Sequence, residues 1–432
     1  MFSFCSNFCS PQAAFSTLIN MRSIIVSAAC AFAYLQPHLT LADKPPLRLA
    51  STHTFKIAAF SDLHFGENES TFGIPADKNS IRLITDVLTH EAPDFVVLNG
   101  DLITGENTFA ENSTKYVDEI VGPLADGGYA WASTYGNHDS KYNLTREGIL
   151  AEEQKYPKAY TTHGPAGTDG VSNYAVPVYG PPAASQSGAG AAQAPLNDSA
   201  ERPVALLYFL DSRGGSQGDP SNDDNIPNFV TSGTAAWLNA THQSYLAQFG
   251  PLPSLLFVHI PVQAFLDLQD STDPVVSGPN FPGLNAEVLD QEGNGAVGKN
   301  CCSYAGQDVP FMQTLLEMEG LHSVYSGHDH GDSWCGLWQD RTEPSTPALN
   351  SGAYYASNGR PFLCFAKHSG FGGYGVWHRG VRQVELAFNE QGGMSVQTWV
   401  RMQWGDDVPP VITNVTLNET YGEDIYSTVD GE

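Results

Sequence analysis

The chain has 432 residues, 41% of them hydrophobic, which is enough to bury a core in one large domain or two smaller ones and sets disorder aside. Its formal net charge is -27 with only 20 Lys and Arg, so it lacks the clustered cations that a nucleic-acid groove or an anionic membrane surface requires. Such acidity suits a protein that gathers metal cations, and equally a secreted protein kept soluble by its charge.

Residues 1–42 carry a single charge, Arg22, followed by an apolar run from Ile24 to Leu35 and small residues up to Ala42. This pattern predicts a signal peptide cleaved after Ala42, with Met21 as the expected start, because residues 1–20 are uncharged and make a poor leader. The run is too short to cross a bilayer. From Phe55 onward, short apolar runs alternate with amphipathic stretches, which is the α/β signature. Strands are expected at Phe55–Phe60, Phe95–Leu98, Ala130–Thr134, Ala205–Leu210 and Ser254–Val258, and later at Pro361–Phe365, Val381–Phe388 and Ser395–Gln403. Helices are expected at Asn79–His90, Tyr116–Ala125 and Ala235–Phe249. One domain is placed over residues 54–403. An Ala/Gly/Pro/Ser-rich insertion interrupts it at 179–202, and a long loop from Asp270 to Gly306 is expected to pass near whatever the domain binds. Residues 404–432 read as an acidic tail.

Seven N-x-S/T sequons, at Asn68, Asn112, Asn143, Asn197, Asn239, Asn414 and Asn418, agree with passage through the secretory pathway or into a vacuole. No hydrophobic stretch follows Asn418, so no membrane anchor is expected there. Loss of the leader leaves Cys301, Cys302, Cys335 and Cys364, an even set that allows three full pairings. A Cys335–Cys364 disulfide is the favoured hypothesis, because the two follow the last histidine motif and close the next strand; Cys301 and Cys302 are then left to each other.

Five clusters sit where apolar strands end: Asp62-Leu63-His64, Gly100-Asp101, Gly136-Asn137-His138-Asp139, His259, and Gly327-His328-Asp329-His330. Each alone is weak, since Asp-Leu-His or Gly-Asp often forms a turn or a cap, and a lone histidine is more often part of a core. Together, and in this order, they supply oxygen and imidazole ligands that an open α/β sheet would gather on one edge. Hydrolysis of a phosphate ester requires such a set, because two cations must neutralise an anion that resists nucleophiles. Asp101, following a strand and a Gly, is the candidate bridging carboxylate. No H-E-x-x-H occurs, which sets the zinc proteases aside.

The stretches Ile57–Glu67, Val96–Glu106 and Trp131–Asp139, with Val258-His-Ile-Pro, Ser326-Gly-His-Asp-His and Gly370-Phe-Gly-Gly-Tyr-Gly, resemble the calcineurin-like metallophosphoesterases, and within them the purple acid phosphatase-like branch. The resemblance implies a two-sheet β-sandwich flanked by helices, in the order α/β/β/α. It implies one metal ion on Asp62, His64, Asp101 and His330, and a second on Asp101, Asn137, His259 and His328. The ions would be divalent manganese, iron or zinc, and a hydroxide bridging them would attack a small phosphorylated substrate in line. His138 would act on the leaving oxygen, with Asp139 orienting its ring. Phosphomonoester hydrolysis is the leading expectation; a phosphodiesterase on the same site and a non-enzymatic secreted binding protein are the rivals. Two departures stand out. The redox-active purple enzymes have a tyrosine three residues after the bridging aspartate, where this chain has Thr104, and the N-terminal β-domain of the larger plant-type enzymes has no room between Ala42 and Asp62.

Overall fold

The computed structural model describes residues 44–108, 111–140, 144–181, 202–216, 226–269, 281–289, 304–338, 360–389, 392–403 and 411–417. Along the chain, β1 (Leu47–Arg48) and β2 (Thr54–Phe60) lead to α1 (Gly73–Glu91), β3 (Phe95–Asn99), α2 (Ser113–Gly127) and β4 (Trp131–Thr134). Next come α3 (Arg146–Glu153), β5 (Tyr174–Tyr179), β6 (Pro203–Leu210), α4 (Ser232–Phe249), β7 (Ser254–Val258) and α5 (Ala264–Gln269). The last part holds α6 (Val309–Glu317), β8 (Leu321–Ser326), β9 (Cys335–Leu337), β10 (Phe362–Phe365), β11 (Gly380–Phe388), β12 (Met394–Met402) and β13 (Val411–Thr416).

The strands form two sheets, ordered β1-β5-β6-β7-β8-β10-β9 and β13-β12-β11-β2-β3-β4. Side chains alternate along a strand, and in the central strands β2, β3, β6 and β7 both faces are apolar, so each of these serves two cores. Phe55, Ile57 and Ala59 of β2, Phe95 and Val97 of β3, and Val384 and Leu386 of β11 meet Leu207 and Phe209 of β6 and Leu255 and Phe257 of β7 between the sheets. The alternate residues Ala58, Phe60, Val96 and Leu98 turn outward onto α1, α2 and α3. Leu206, Tyr208, Leu256 and Val258 turn outward from the other sheet onto α4 and α6. This is the expected α/β/β/α sandwich. Full burial of one such large side chain contributes roughly 1.5–3 kcal/mol, so the strand pattern fixes the layers. A ladder of stacked rings, Tyr174, Phe209, Phe257 and Tyr325, crosses β5 to β8 at centroid spacings of 4.9, 5.3 and 5.3 Å.

Two devices tie the site-bearing edge together. Arg382 of β11, fully buried, donates to Phe365 O in the other sheet through Nε at 3.1 Å and to the Thr398 hydroxyl at 3.2 Å. Burial pushes its guanidinium down to about 10. Cys335 and Cys364 face each other in the antiparallel β9–β10 pair and are joined by a disulfide, both in the core between the sheets.

The sheets reach beyond residues 54–403. At one end β1 pairs with β5, and at the other β13, inside the expected acidic tail, pairs with β12. The insertion 179–202 is the β5–β6 connection, and its residues 182–201, like residues 1–43, lie outside the described residues. Among the described residues no helix is long and apolar enough to cross a membrane.

Candidate metal centre

Strands β2, β3 and β4 run parallel in one sheet, as do β6, β7, β8 and β10 in the other, so their C-terminal ends share an edge. Asp62 and His64 follow β2, Asp101 follows β3, and a single 3-10 turn, Asn137–Asp139, follows β4. His259 follows β7 directly, and His328 and His330 follow β8. Backbone hydrogen bonds lace these loops: Asp62 N to Gly100 O at 3.1 Å, His64 N to Asp101 O at 2.9 Å, and Gly327 N to His259 O at 2.9 Å. The approach is so close that a Cβ on Gly136 would lie 2.3 Å from Asp101 Oδ1, and one on Gly100, at φ +87°, would lie 2.4 Å from His259 Nδ1. Four of the candidate ligands occupy left-handed backbone, at φ 55° for Asp62, 48° for His64, 51° for Asp101 and 77° for His328. Each such residue stores about 1–3 kcal/mol of strain, and such strain concentrates at working sites.

The side chains converge in two adjoining groups, Asp62 with His64 and His330, and Asp101 with His259 and His328, the donor atoms within each lying within 4.8 Å of one another. Asp101 Oδ2 reaches both groups, 3.8 Å from His64 Nε2 and 3.1 Å from His259 Nε2, while its Oδ1 accepts from His138 N at 2.7 Å.

Acceptors behind the rings set their tautomers. His259 Nδ1 donates to Asn99 O at 2.8 Å, and His330 Nδ1 donates to Tyr374 O at 2.8 Å. The Thr104 hydroxyl donates to Glu67 Oε1 at 3.0 Å and so is an acceptor for His64 Nδ1 at 3.4 Å. Each ring therefore turns a lone pair on Nε2 inward. The two Nε2 atoms of His64 and His330 face each other at 3.2 Å, and His259 Nε2 faces a carboxylate oxygen. Both contacts are repulsive unless a cation, a proton or a metal ion, lies between. Asn137 Oδ1 is also buried with no hydrogen-bond partner. Outward-anchored imidazoles, two carboxylates and a buried amide oxygen fit manganese, iron or zinc.

The ionisation shows the same demand for positive charge. Burial alone would push His259 down, yet the adjacent Asp101 carboxylate, by charge and hydrogen bond, with Asp62 behind it, lifts it to about 9. Burial dominates at His64, which falls to about 3, and at His328, which falls to about 4. Burial opposes ionisation of Asp62 and Asp101, but the charge of His259 prevails and holds both carboxyls well below the usual range.

Asn137, His138 and His328 are half-buried while the other ligand candidates are closed off, so the site opens on their side. The partner of the His138 ring is not the expected one. Asp139 is committed elsewhere: Oδ1 accepts from Leu102 N at 2.8 Å and Ile103 N at 3.2 Å, and Oδ2 accepts from Gly136 N at 2.8 Å. These bonds shape the two ligand loops. The carboxylate beside His138 Nδ1 belongs to Glu106, at 2.7 Å. Glu106, Asn99, Glu67 and Tyr374 were missed as site residues because their role depends on what lies across the fold, although Glu106 stands in the same run as Asp101. Of the sequons, Asn68 is exposed, Asn112 and Asn239 are half-buried and Asn414 lies on β13, while Asn143, Asn197 and Asn418, with Cys301 and Cys302, lie outside the described residues.

The chain is 25% identical over 412 residues to "Probable inactive purple acid phosphatase 29" of Arabidopsis thaliana, covering 88% of this chain and 90% of that one. It is also 25% identical over 377 residues to "Phosphatase DCR2" of Saccharomyces cerevisiae, covering 81% of this chain and 54% of the yeast protein. Among solved structures, a dimetal phosphatase from Danio rerio aligns over 83% of this chain and 99% of its own, with a TM-score of 0.42 and 14% identity. The sequence profile of the Calcineurin-like phosphoesterase family matches residues 55–332, a span that holds every ligand candidate from Asp62 to His330, and the chain belongs to that family.

Proposed function

We propose that the chain is a dinuclear-metal phosphoesterase that hydrolyses phosphate monoesters. Asp62, His64, Asp101 and His330 would hold one divalent cation, and Asp101, Asn137, His259 and His328 the other. The observation that carries this reading is the pair of inward lone pairs, His64 Nε2 against His330 Nε2 at 3.2 Å, on rings whose opposite nitrogens are anchored. Two cations there would neutralise a bound phosphate and supply hydroxide near neutral pH. Asp101, whose Oδ2 lies within reach of both groups, would belong to both sets, while its Oδ1 accepts from the His138 amide and so fixes the acid beside them. Glu106 engages His138 at Nδ1, which makes Nε2 the nitrogen that hands a proton to the leaving oxygen. The excess of negative charge favours a small phosphorylated substrate over a polynucleotide.

The Arabidopsis relative bears the name "probable inactive". Turnover in this chain is supported by the full ligand set and by the His138–Glu106 pair at the open side. Secretion, or delivery to a vacuole, completes the proposal; the leader-like residues 1–42, the sequons and the buried disulfide support it.

The test is hydrolysis of 4-nitrophenyl phosphate and bis(4-nitrophenyl) phosphate by protein of measured metal content. Turnover of the monoester should stop on chelation and return with divalent metal, and Asp101→Asn should remove both metal and turnover. Faster turnover of the diester would favour the phosphodiesterase reading. Full metal and full turnover in Asp101→Asn would refute the assignment.

A further inference from the structure

Two segments from distant parts of the chain close over the turn that carries His328 and His330. One is 284–288, from the long loop between α5 and α6, and the other is 371–377. From the second, Tyr374 lays its ring on that of His330, with centroids 3.9 Å apart and planes 15° apart, and its carbonyl accepts from His330 Nδ1. Its hydroxyl accepts from His330 N at 3.2 Å and lies 2.5 Å from Glu287 Oε1 and 3.3 Å from His328 O. A phenol has one proton to give, and the carboxylate is the stronger acceptor. The other oxygen of Glu287 accepts from Gly331 N at 2.8 Å. Glu287 is itself held in place, because the fully buried Asp332 accepts from Ala286 N at 3.0 Å and Glu287 N at 3.1 Å.

We infer that Glu287 and Tyr374 are positioning residues that latch His330, and that they control the affinity of the cation site His330 serves far more than that of the other, which they touch only at the His328 carbonyl. The inference rests on the dinuclear reading above. His330 belongs to the group with Asp62 and His64, and one face of its ring, its Nδ1, its backbone amide and the amide after it all end on Tyr374 or Glu287. His259, in the other group, is anchored on Asn99 O at the end of β3, inside the sheet and independent of either segment. Without Glu287, the Tyr374 hydroxyl turns to His328 O, Gly331 N loses its acceptor, and His330 keeps the packing of the buried His368 ring, 3.8 Å between centroids, but relies for its hydrogen bonds on a half-exposed tyrosine held unaided. Partners that orient a ligand in this way typically contribute about 10–100-fold to metal affinity.

The experiment titrates the metal-free, full-length chain with manganese(II) alone and follows binding calorimetrically. The wild type should show two sites. Glu287→Ala should weaken one of them by about 10–100-fold and the other far less. Glu287→Gln should fall between, since its amide oxygen still accepts from Tyr374 while its NH2 cannot accept from Gly331; it also carries the test should the alanine variant not fold. Val376→Ala, 97% exposed in the same segment, is the control and should match the wild type. Two unaltered sites in Glu287→Ala would overturn the latch alone. So would equal weakening of both sites, which marks a merely structural residue. Two manganese sites without hydrolysis of any ester would instead sink the phosphoesterase reading and leave the latch standing.

Discussion

Replacing Glu153 with Gln should make the protein's stability less sensitive to rising pH. Glu153 lies in α3, fully buried, behind β4, the strand that leads to Asn137 and His138, and its Oε1 accepts from the Ser133 hydroxyl at 2.7 Å. Burial pushes its carboxyl up and the charge of Asp139 adds to this, against the Thr161 and Ser133 hydroxyls, so it rises from 4.5 to about 7. The unfolded chain thus gives up this proton near 4.5 and the folded chain only near 7. In that window the unfolded state is the more ionised, so stability falls as pH rises, by about 3 kcal/mol in all. A glutamine stays neutral throughout and keeps the acceptor for Ser133. Its new NH2 adds a pH-independent loss of about 1–3 kcal/mol where it lacks a partner, which cancels when two pH values are compared. Urea unfolding of both chains at pH 4.5 and pH 8 should therefore show the variant gaining about 3 kcal/mol on the wild type between them. Parallel stability profiles would refute the argument.

His138→Ala should keep its metal and lose about 10²–10⁴-fold in kcat on alkyl phosphates, but far less on 4-nitrophenyl phosphate, whose leaving group needs no proton. Loss of metal, or an equal fall on both substrates, would remove His138 from the acid role. Cys335→Ser should lower stability by roughly 3–4 kcal/mol, as expected for opening a link of sequence separation 29, and denaturant midpoints read this directly.

The sequence exposed the parts of this site that obey local rules. Apolar runs ending in Gly, Asp or His marked the strand ends, and β7 spans the expected Ser254–Val258. It hid features whose meaning is tertiary. β5 contains Pro177, a breaker by local reading, yet it pairs with β1 and β6, where the packing of alternate residues outweighs the missing donor. α1 begins at Gly73, six residues before the expected Asn79, because Pro75 in a first turn lacks only an N–H that would have no helical partner. β13 carries the alternating, β-branched sequence VITNVT, but its acidic neighbours and sequons suggested a tail. Asp139 looked like the partner of His138 because it is next in sequence. In a 3-10 turn, neighbouring side chains diverge, and its carboxylate is drawn to the backbone amides of the loop after β3 while Glu106 arrives from that same loop.

Thr104 would set the redox character of the proposed centre. It stands where the purple enzymes place the tyrosinate that gives ferric iron its visible absorption. Here the position is buried, and its hydroxyl donates to Glu67 Oε1 at 3.0 Å and lies 3.4 Å from His64 Nδ1, the nitrogen opposite the one that faces inward. A threonine so placed orients a ligand and cannot be one. A cation beside it would meet two imidazoles and the carboxylates of Asp62 and Asp101, a set with less negative charge than one that includes a phenolate, and that balance favours a divalent ion over a ferric one. Tyr374, the phenol stacked on His330, does not replace the tyrosinate, because burial and the Glu287 carboxylate raise its pKa and keep it protonated. The loaded protein should therefore be colourless, and mild reductants such as ascorbate should leave its activity unchanged. A purple preparation whose visible band bleaches on reduction would show that another phenolate reaches the metal and that the charge argument fails.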